Sequence, residues 1–177
     1  IKNALERALI ASGDAGASHL EDGLPMCRKW MDEDPLYQVE PYPHVVDSLH
    51  ELKRRGIKLA VFSNKPHNSA INVVETIFGK GIFDHVQGQT DRIPIKPDPT
   101  GVFEILDIFG VEKSEALYFG DTNTDMMTGH NAGLFTVGVT WGFRPRKELE
   151  DYHADMIIDS AADFPTVVDR VNGAEQA

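Results

Sequence analysis

Ala116-Leu117-Tyr118-Phe119-Gly120-Asp121-Thr122-Asn123-Thr124-Asp125 passes from a short apolar run, through a polar turn, into a helical pattern. A brief apolar run bounded by glycine reads as a strand buried on both faces. Asp121 then falls at the carboxyl end of that strand, and Asp125 in the first turn of the next helix. Two carboxylates so placed can converge on one hard cation; magnesium takes one or two carboxylates and completes its shell with water and substrate phosphate. The same stretch also reads as an ordinary turn with an Asp or Asn helix cap, and taken alone it leaves both readings open.

The alternation of strand and helix continues on either side. Upstream, Val45, Leu49 and Leu52 mark one helix face and Gly56 stops it. Ile57 to Phe62 then reads as a buried strand, and Ile71, Val74 and Ile77 mark the next helix, followed by Phe83-Asp84-His85-Val86. Asp98 as N-cap with Pro99 at the first helical position opens a helix that turns Val102, Ile105, Leu106 and Phe109 inward and ends at Gly110. Downstream come a helix from about Asp125 to Ala132, a strand from Phe135 to Val139, a short helix after Pro145, the strand Met156-Ile157-Ile158 and a last helix through Val167, Val168 and Val171.

Strands alternating with helices imply an α/β fold with a doubly wound, Rossmann-like parallel sheet. Such sheets bind ligands outside the carboxyl ends of their strands, where Ser63 and Asp121 both fall. Residues 1–38 have a different, purely helical pattern, with Ile1, Leu5 and Leu9 on one face and Trp30 and Met31 as apolar bulk. It breaks at Gly13-Asp14-Ala15-Gly16 and at Asp34-Pro35. Two parts are therefore expected, 1–38 and 39–177.

Composition narrows the function classes. A formal net charge of −11 over 177 residues, with no basic stripe, argues against nucleic acid as a partner. No apolar run approaches the roughly 20 residues that span a bilayer, so no membrane partner is expected. The single Cys27 rules out an intramolecular disulfide and reads as a small packed residue; a reducing, cytoplasmic setting is expected. His67 and His130 lack a second His or Cys at metal spacing and read as helix-surface residues. Arg144-Pro145-Arg146-Lys147 reads as a solvated basic cluster, and Asp84 and Asp91 as loop carboxylates. Trp141-Gly142-Phe143 is open between packing and substrate contact, and Lys65 between a substrate-side cation and a solvated loop lysine.

Three motifs occur in a fixed order: Val61-Phe62-Ser63-Asn64-Lys65-Pro66, then Ile95-Lys96-Pro97-Asp98-Pro99, then Gly120-Asp121-x-x-x-Asp125. Together they make residues 39–160 resemble the haloacid dehalogenase superfamily, and Ser63-Asn64-Lys65-Pro66-His67 with Trp141-Gly142-Phe143 resembles its phosphoglycolate phosphatase branch. The resemblance implies that Ser63 and the chain beyond it, Asn64 and Lys65, hold phosphoryl oxygens while Lys96 offsets charge on phosphate and nucleophile. It implies that Asp121 and Asp125 hold or orient Mg2+, supported by Gly120, Thr122 and Asn123. Phosphoryl transfer needs positioning and electrostatic stabilisation of this kind. The activity implied is hydrolysis of a small phosphorylated metabolite through an aspartyl-phosphate, with 2-phosphoglycolate first and pyrophosphate or a nucleoside monophosphate open.

One part of the family pattern is absent. The family's nucleophile is the first Asp of an Asp-x-Asp-x-Thr motif on its first strand, and these 177 residues contain no such motif. By resemblance, that strand lies between the strand ending at Ser63 and the one ending at Gly120. The expectation is a core, 39–177, lacking its first strand, joined to the end of a helical cap, 1–38, and inactive as it stands. Two sheet edges would then be uncovered. Competing readings are a silent relative or fragment acting as a binding domain, and a receiver-like signalling module, whose acid pair would precede the lysine rather than follow it.

Overall fold

The computed structural model describes residues 2–34, 36–37 and 39–174, and the chain divides into two compact units, Ile1–Val39 and Glu40–Ala177. Ile1 and Pro35, together with the side chain of Met31, lie outside the described residues.

In the first unit α1 (Lys2–Ala11) and α2 (Leu20–Glu33) form a helical pair. They meet at Gly23, where an added Cβ would come within 3.1 Å of Leu5 Cδ2. The connection turns at Gly13, whose φ of 103° suits glycine. Asp14 accepts hydrogen bonds from Ser18 Oγ at 3.1 Å and His19 N at 3.2 Å, which ties the turn to the start of α2.

The second unit contains α3 (Val45–Arg54), β1 (Ala60–Pro66), α4 (His67–Phe78), β2 (His85–Gln89), α5 (Thr100–Phe109), β3 (Leu117–Gly120), α6 (Asn123–Ala132), β4 (Phe135–Val139), α7 (Arg146–Asp151), β5 (Met156–Ile158) and α8 (Phe164–Ala174). All strand pairs are parallel. β1 pairs with β2, and a second sheet has the order β3-β4-β5. Among the described residues β1 and β3 do not pair, yet Phe62 of β1 and Tyr118 of β3 pack against one core cluster of Val102, Leu106, Ala132 and Leu134. A second cluster, Val137, Val139, Ile158 and Val167, takes Phe119, Trp141 and Phe164 onto it.

Several element boundaries differ from the sequence expectation. The first strand starts at Ala60, not Ile57, because Leu59 N donates to Asp84 Oδ2 at 2.8 Å and Leu59 O accepts from Asp84 N at 2.8 Å. Asp84 is therefore no ordinary loop carboxylate: burial pushes its pKa up, but Lys53 Nζ at 2.7 Å and the Leu59 amide outweigh that and hold it below the usual range. The strand also continues past Ser63 to Pro66. Its pairing jumps from Phe62 opposite Gln87 to Pro66 opposite Gln89, so Ser63, Asn64 and Lys65 bulge against Gly88 alone. Only glycine fits there, since a Cβ would come 2.6 Å from His67 Cα and 2.7 Å from Lys65 O. The helix after Lys96 starts at Thr100, one residue beyond Pro99, while Asp98 Oδ1 still accepts from Thr100 N at 2.9 Å.

Candidate functional site

The site is built on the β3–α6 turn. Thr122 is the N-cap of α6: its hydroxyl accepts from Asp125 N, and Asp125 Oδ2 reaches back to Thr122 N at 3.1 Å and Oγ1 at 2.7 Å. This reciprocal box satisfies amides that a helix start leaves unpaired. Asp125 is only 6% exposed, and its other oxygen, Oδ1, lies 2.6 Å from Lys96 Nζ. Gly120 makes the approach possible, since a Cβ there would run into the Asp125 side chain. The charge of Asp125, after burial itself, pushes the Tyr118 hydroxyl well above its ordinary range.

Lys96 is fixed from its backbone. Asn64 Oδ1 accepts from Lys96 N at 2.7 Å, and Asn64 Nδ2 donates to Lys96 O at 3.4 Å. Asn131 Nδ2 of α6 donates to Pro97 O at 3.0 Å, which joins the lysine loop to α6. The Lys96–Pro97 peptide is cis. Asn64, expected beside the phosphate, thus spends its amide on holding Lys96. Ser63 Oγ accepts from Lys65 N at 3.1 Å inside the bulge, which keeps the hydroxyl proton available for another acceptor; Lys65 itself is half-buried. The structure thus joins the Ser63-Asn64 bulge, Lys96 and the Asp121–Asp125 turn into one hydrogen-bonded group.

Asp121 is held from the far side, where Phe143 N donates to its Oδ2 at 2.7 Å. Gly142 comes so close that a Cβ would lie 2.5 Å from Asp121 Cγ. Asn123 N, at the first residue of α6, donates to Glu148 Oε1 of α7 at 3.1 Å. These three supports, Gly142, the Phe143 amide and Glu148, carry no signal in the sequence beyond the glycine of an aromatic turn. The aromatic pair itself divides. Trp141 packs 5.9 Å from the Phe164 ring, centroid to centroid, whereas Phe143 is 85% exposed.

For a cation the donor chemistry is hard oxygen. Asp121 Oδ1 accepts no hydrogen bond among the described residues, while both oxygens of Asp125 are taken by Lys96 and Thr122. No group of three or more His, Cys, Asp or Glu side chains placed to hold a metal occurs among the described residues. That set fits magnesium, which needs one or two protein carboxylates when phosphate and water supply the rest, and it fits a cation needing a full protein cage poorly. Asp121 would be the direct ligand, and Asp125 would orient Lys96.

The remaining candidates have other roles. His67 Nδ1 accepts from Gly88 N at 3.2 Å, and His130 Nε2 lies 2.7 Å from Thr136 Oγ1, which also donates to Asp155 at 2.8 Å. Both histidines are hydrogen-bonded; His130 is exposed on α6, and His67 is half-buried. The basic cluster is ion-paired along α7: Arg144 with Glu148, Arg146 with Glu150 and Asp159, Lys147 with Asp151. No helix among the described residues is long and apolar enough to cross a membrane.

A model of the haloacid dehalogenase-like hydrolase family matches residues 11–139. A phosphoglycolate phosphatase of Aquifex aeolicus is 32% identical over 84% of this chain and 68% of its own length. Pyrophosphatase PpaX of Bacillus mycoides is 29% identical over 89% of the chain and 73% of its own. Among solved structures, a predicted phosphoglycolate phosphatase of Haemophilus somnus superposes with a TM-score of 0.66 at 29% identity, over 71% of this chain and 56% of that one. The chain thus spans between about half and three quarters of the length of these three relatives.

Proposed function

Because the chain belongs to the haloacid dehalogenase-like hydrolase family, we propose that residues 40–177 carry the phosphate- and magnesium-binding side of a phosphatase acting on small phosphomonoesters. The single observation that carries this reading is the buried 2.6 Å pair between Lys96 and Asp125, with Asn64 clamping the Lys96 backbone. It brings three distant sequence segments together beyond the carboxyl ends of β1 and β3, where such folds bind ligands.

In this reading Ser63 donates its hydroxyl proton to a phosphoryl oxygen, and the bulge amides beyond it add further donors. Lys96 offsets the negative charge shared by phosphate and nucleophile, oriented by Asp125. Asp121 holds magnesium, which when bound supplies charge stabilisation to the phosphoryl oxygens. A carboxylate attacks phosphorus as the bond to the leaving alcohol, or to phosphate in pyrophosphate, breaks. The leaving oxygen takes a proton from the second Asp of the same Asp-x-Asp-x-Thr strand, which recovers one from the water that then hydrolyses the aspartyl-phosphate to release inorganic phosphate. No carboxylate among those just described is assigned the attack. The reading takes it from a strand outside residues 1–177, seated between β1 and β3.

Substrate follows the names of the relatives: 2-phosphoglycolate first, pyrophosphate second. The test is phosphate release from both compounds by protein that includes a strand bearing Asp-x-Asp-x-Thr, with and without magnesium, beside Asp121→Asn. Hydrolysis that needs magnesium and is mostly lost in Asp121→Asn is expected. Undiminished activity in excess chelator would overturn the metal assignment, and turnover by residues 1–177 alone would overturn the placement of the nucleophile.

A further inference from the structure

The loop between β4 and α7 touches the β3–α6 turn at Phe143, and α7 touches it again at Glu148. Phe143 N holds the Asp121 side chain at 2.7 Å, and Glu148 Oε1 accepts Asn123 N at 3.1 Å. Thr122 lies between these anchor points and caps only Asp125 N. A helix start leaves its first amides without intrahelical acceptors, so Glu148 supplies from a different helix the acceptor that Asn123 lacks.

Glu148 is itself held in place. Arg144 Nε lies 3.3 Å from the same Oε1, and each of the two side chains is one-quarter exposed. Leu149, the next residue, has no exposed surface and packs where a Cβ on Gly138 of β4 would come 3.1 Å from it. Thr140 Oγ1 and Arg146 Nη1 both donate to Asp159 Oδ1, at 2.7 Å and 2.9 Å, so the two ends of the loop share one anchor.

Building on the proposed function, we infer that Glu148 is a positioning residue for Asp121: it locks the Thr140–Pro145 loop to the start of α6, so that the Phe143 amide presents the Asp121 carboxylate in one orientation. Glu148 touches neither phosphate nor cation; it acts through Asn123 and Phe143. The acceptor oxygen matters more than the charge, because a part-exposed pair such as Arg144–Glu148 is worth under about 1 kcal/mol. A glutamine, which keeps that oxygen, should therefore substitute for it.

The test compares wild type, Glu148→Ala and Glu148→Gln by amide hydrogen exchange in the absence of metal and by calorimetric titration with magnesium alone. Glu148→Ala is expected to speed exchange about tenfold at Asn123 and also at Phe143, as loss of a net hydrogen bond implies, while Val137 in the middle of β4 keeps its rate. Magnesium affinity should fall about fivefold to tenfold, and Glu148→Gln should restore both readouts to within about threefold. Asn123→Pro removes the same bond from the donor side, at a helix position where proline is tolerated, and should speed Phe143 exchange equally.

Faster exchange at Asn123 with Phe143 and magnesium affinity unchanged would overturn the inference, leaving Glu148 a cap and nothing more. Faster exchange at Val137 as well would also overturn it, as general destabilisation. If the wild type binds no magnesium, the proposed function fails, and the joint response of Asn123 and Phe143 still decides whether Glu148 couples them.

Discussion

Replacing Lys96 by alanine should cost stability as well as turnover, and the structure sets the size of both. The Lys96 and Asp125 side chains are 14% and 8% exposed, and their charged atoms are 2.6 Å apart. Removing one member of a buried pair typically costs about 3–5 kcal/mol, because the other charge stays desolvated. Asp125 would still accept from Thr122 N and Oγ1, which places the cost near the lower end, about 3 kcal/mol. For a chain of this length, about 3 °C per kcal/mol converts that to a fall in Tm of roughly 10 °C. Turnover should drop on the order of 100-fold, the usual loss for one preorganised electrostatic partner. Denaturant midpoints of Lys96→Ala, Asp125→Asn and the double variant would isolate the pair: Asp125→Asn relieves the stranded charge, so the double variant should be about 2 kcal/mol more stable than additivity predicts. A Lys96→Ala protein within about 1 kcal/mol of wild type, or an additive cycle, would refute the claim that this pair is an integral part of the fold.

Gly142→Ala would place a Cβ 2.5 Å from Asp121 Cγ, and such overpacking costs about 1–3 kcal/mol; half-maximal activity should then require several times more magnesium. Gly16→Ala, with nothing within 4 Å of its added Cβ, is the control, and equal magnesium titrations for the two variants would count against crowding of Asp121. Alkaline pH tests Tyr118, whose folded-state pKa is raised first by burial and then by the charge of Asp125. Its contribution is fully present below the roughly 10 of a free tyrosine and is lost as pH climbs above it, with a slope of at most about 1.4 kcal/mol per pH unit. Urea midpoints at pH 9 and pH 11 should fall more in wild type than in Tyr118→Phe, and an equal fall in both would contradict the assignment.

What the sequence revealed and what it hid separate by range. β3, β4 and β5 were legible because each is a run of apolar residues with glycine or polar punctuation, and both faces of such strands are buried. Gly110 and Gly133 end their helices with φ of 63° and 77°, the left-handed conformation glycine favours. The start of β1 was not legible, since Ile57-Lys58-Leu59 is apolar enough to extend the strand and only the distant Asp84 draws Leu59 away from the ladder. The Ser63–Lys65 bulge was hidden for the same reason: it depends on how closely Gly88 of the neighbouring strand approaches Lys65 and His67. Lys96, Asp121 and Asp125 could be picked out because three motifs follow one another in a fixed order, whereas the acid pair alone reads equally as a turn with a helix cap. Glu148 could not, because on α7 it is one acid among several spaced for ordinary helix ion pairs.

The helix cap expected at Gly120–Asp125 and the Lys96 pair meet in one side chain. Asp125 closes the capping box with Thr122 through Oδ2 and pairs with Lys96 through Oδ1, so the carboxylate that starts the helix also orients the lysine. Sharing one side chain between cap and site gives the lysine a rigid partner, because a residue in a helix's first turn whose oxygens accept bonds on both sides has little rotamer freedom left to lose. It also means that substitutions at Asp125 cannot separate folding from chemistry. Thr122→Ala comes nearest to separating them, since it leaves the Lys96–Asp125 pair in place and removes only the cap, worth about 0.5–2 kcal/mol. If the cap serves the site by immobilising Asp125, Thr122→Ala must reduce turnover by more than its stability cost explains at temperatures where the protein remains folded. A Thr122→Ala enzyme that loses Tm but keeps its wild-type rate per folded molecule would show that the box starts the helix and leaves Lys96 to orient itself.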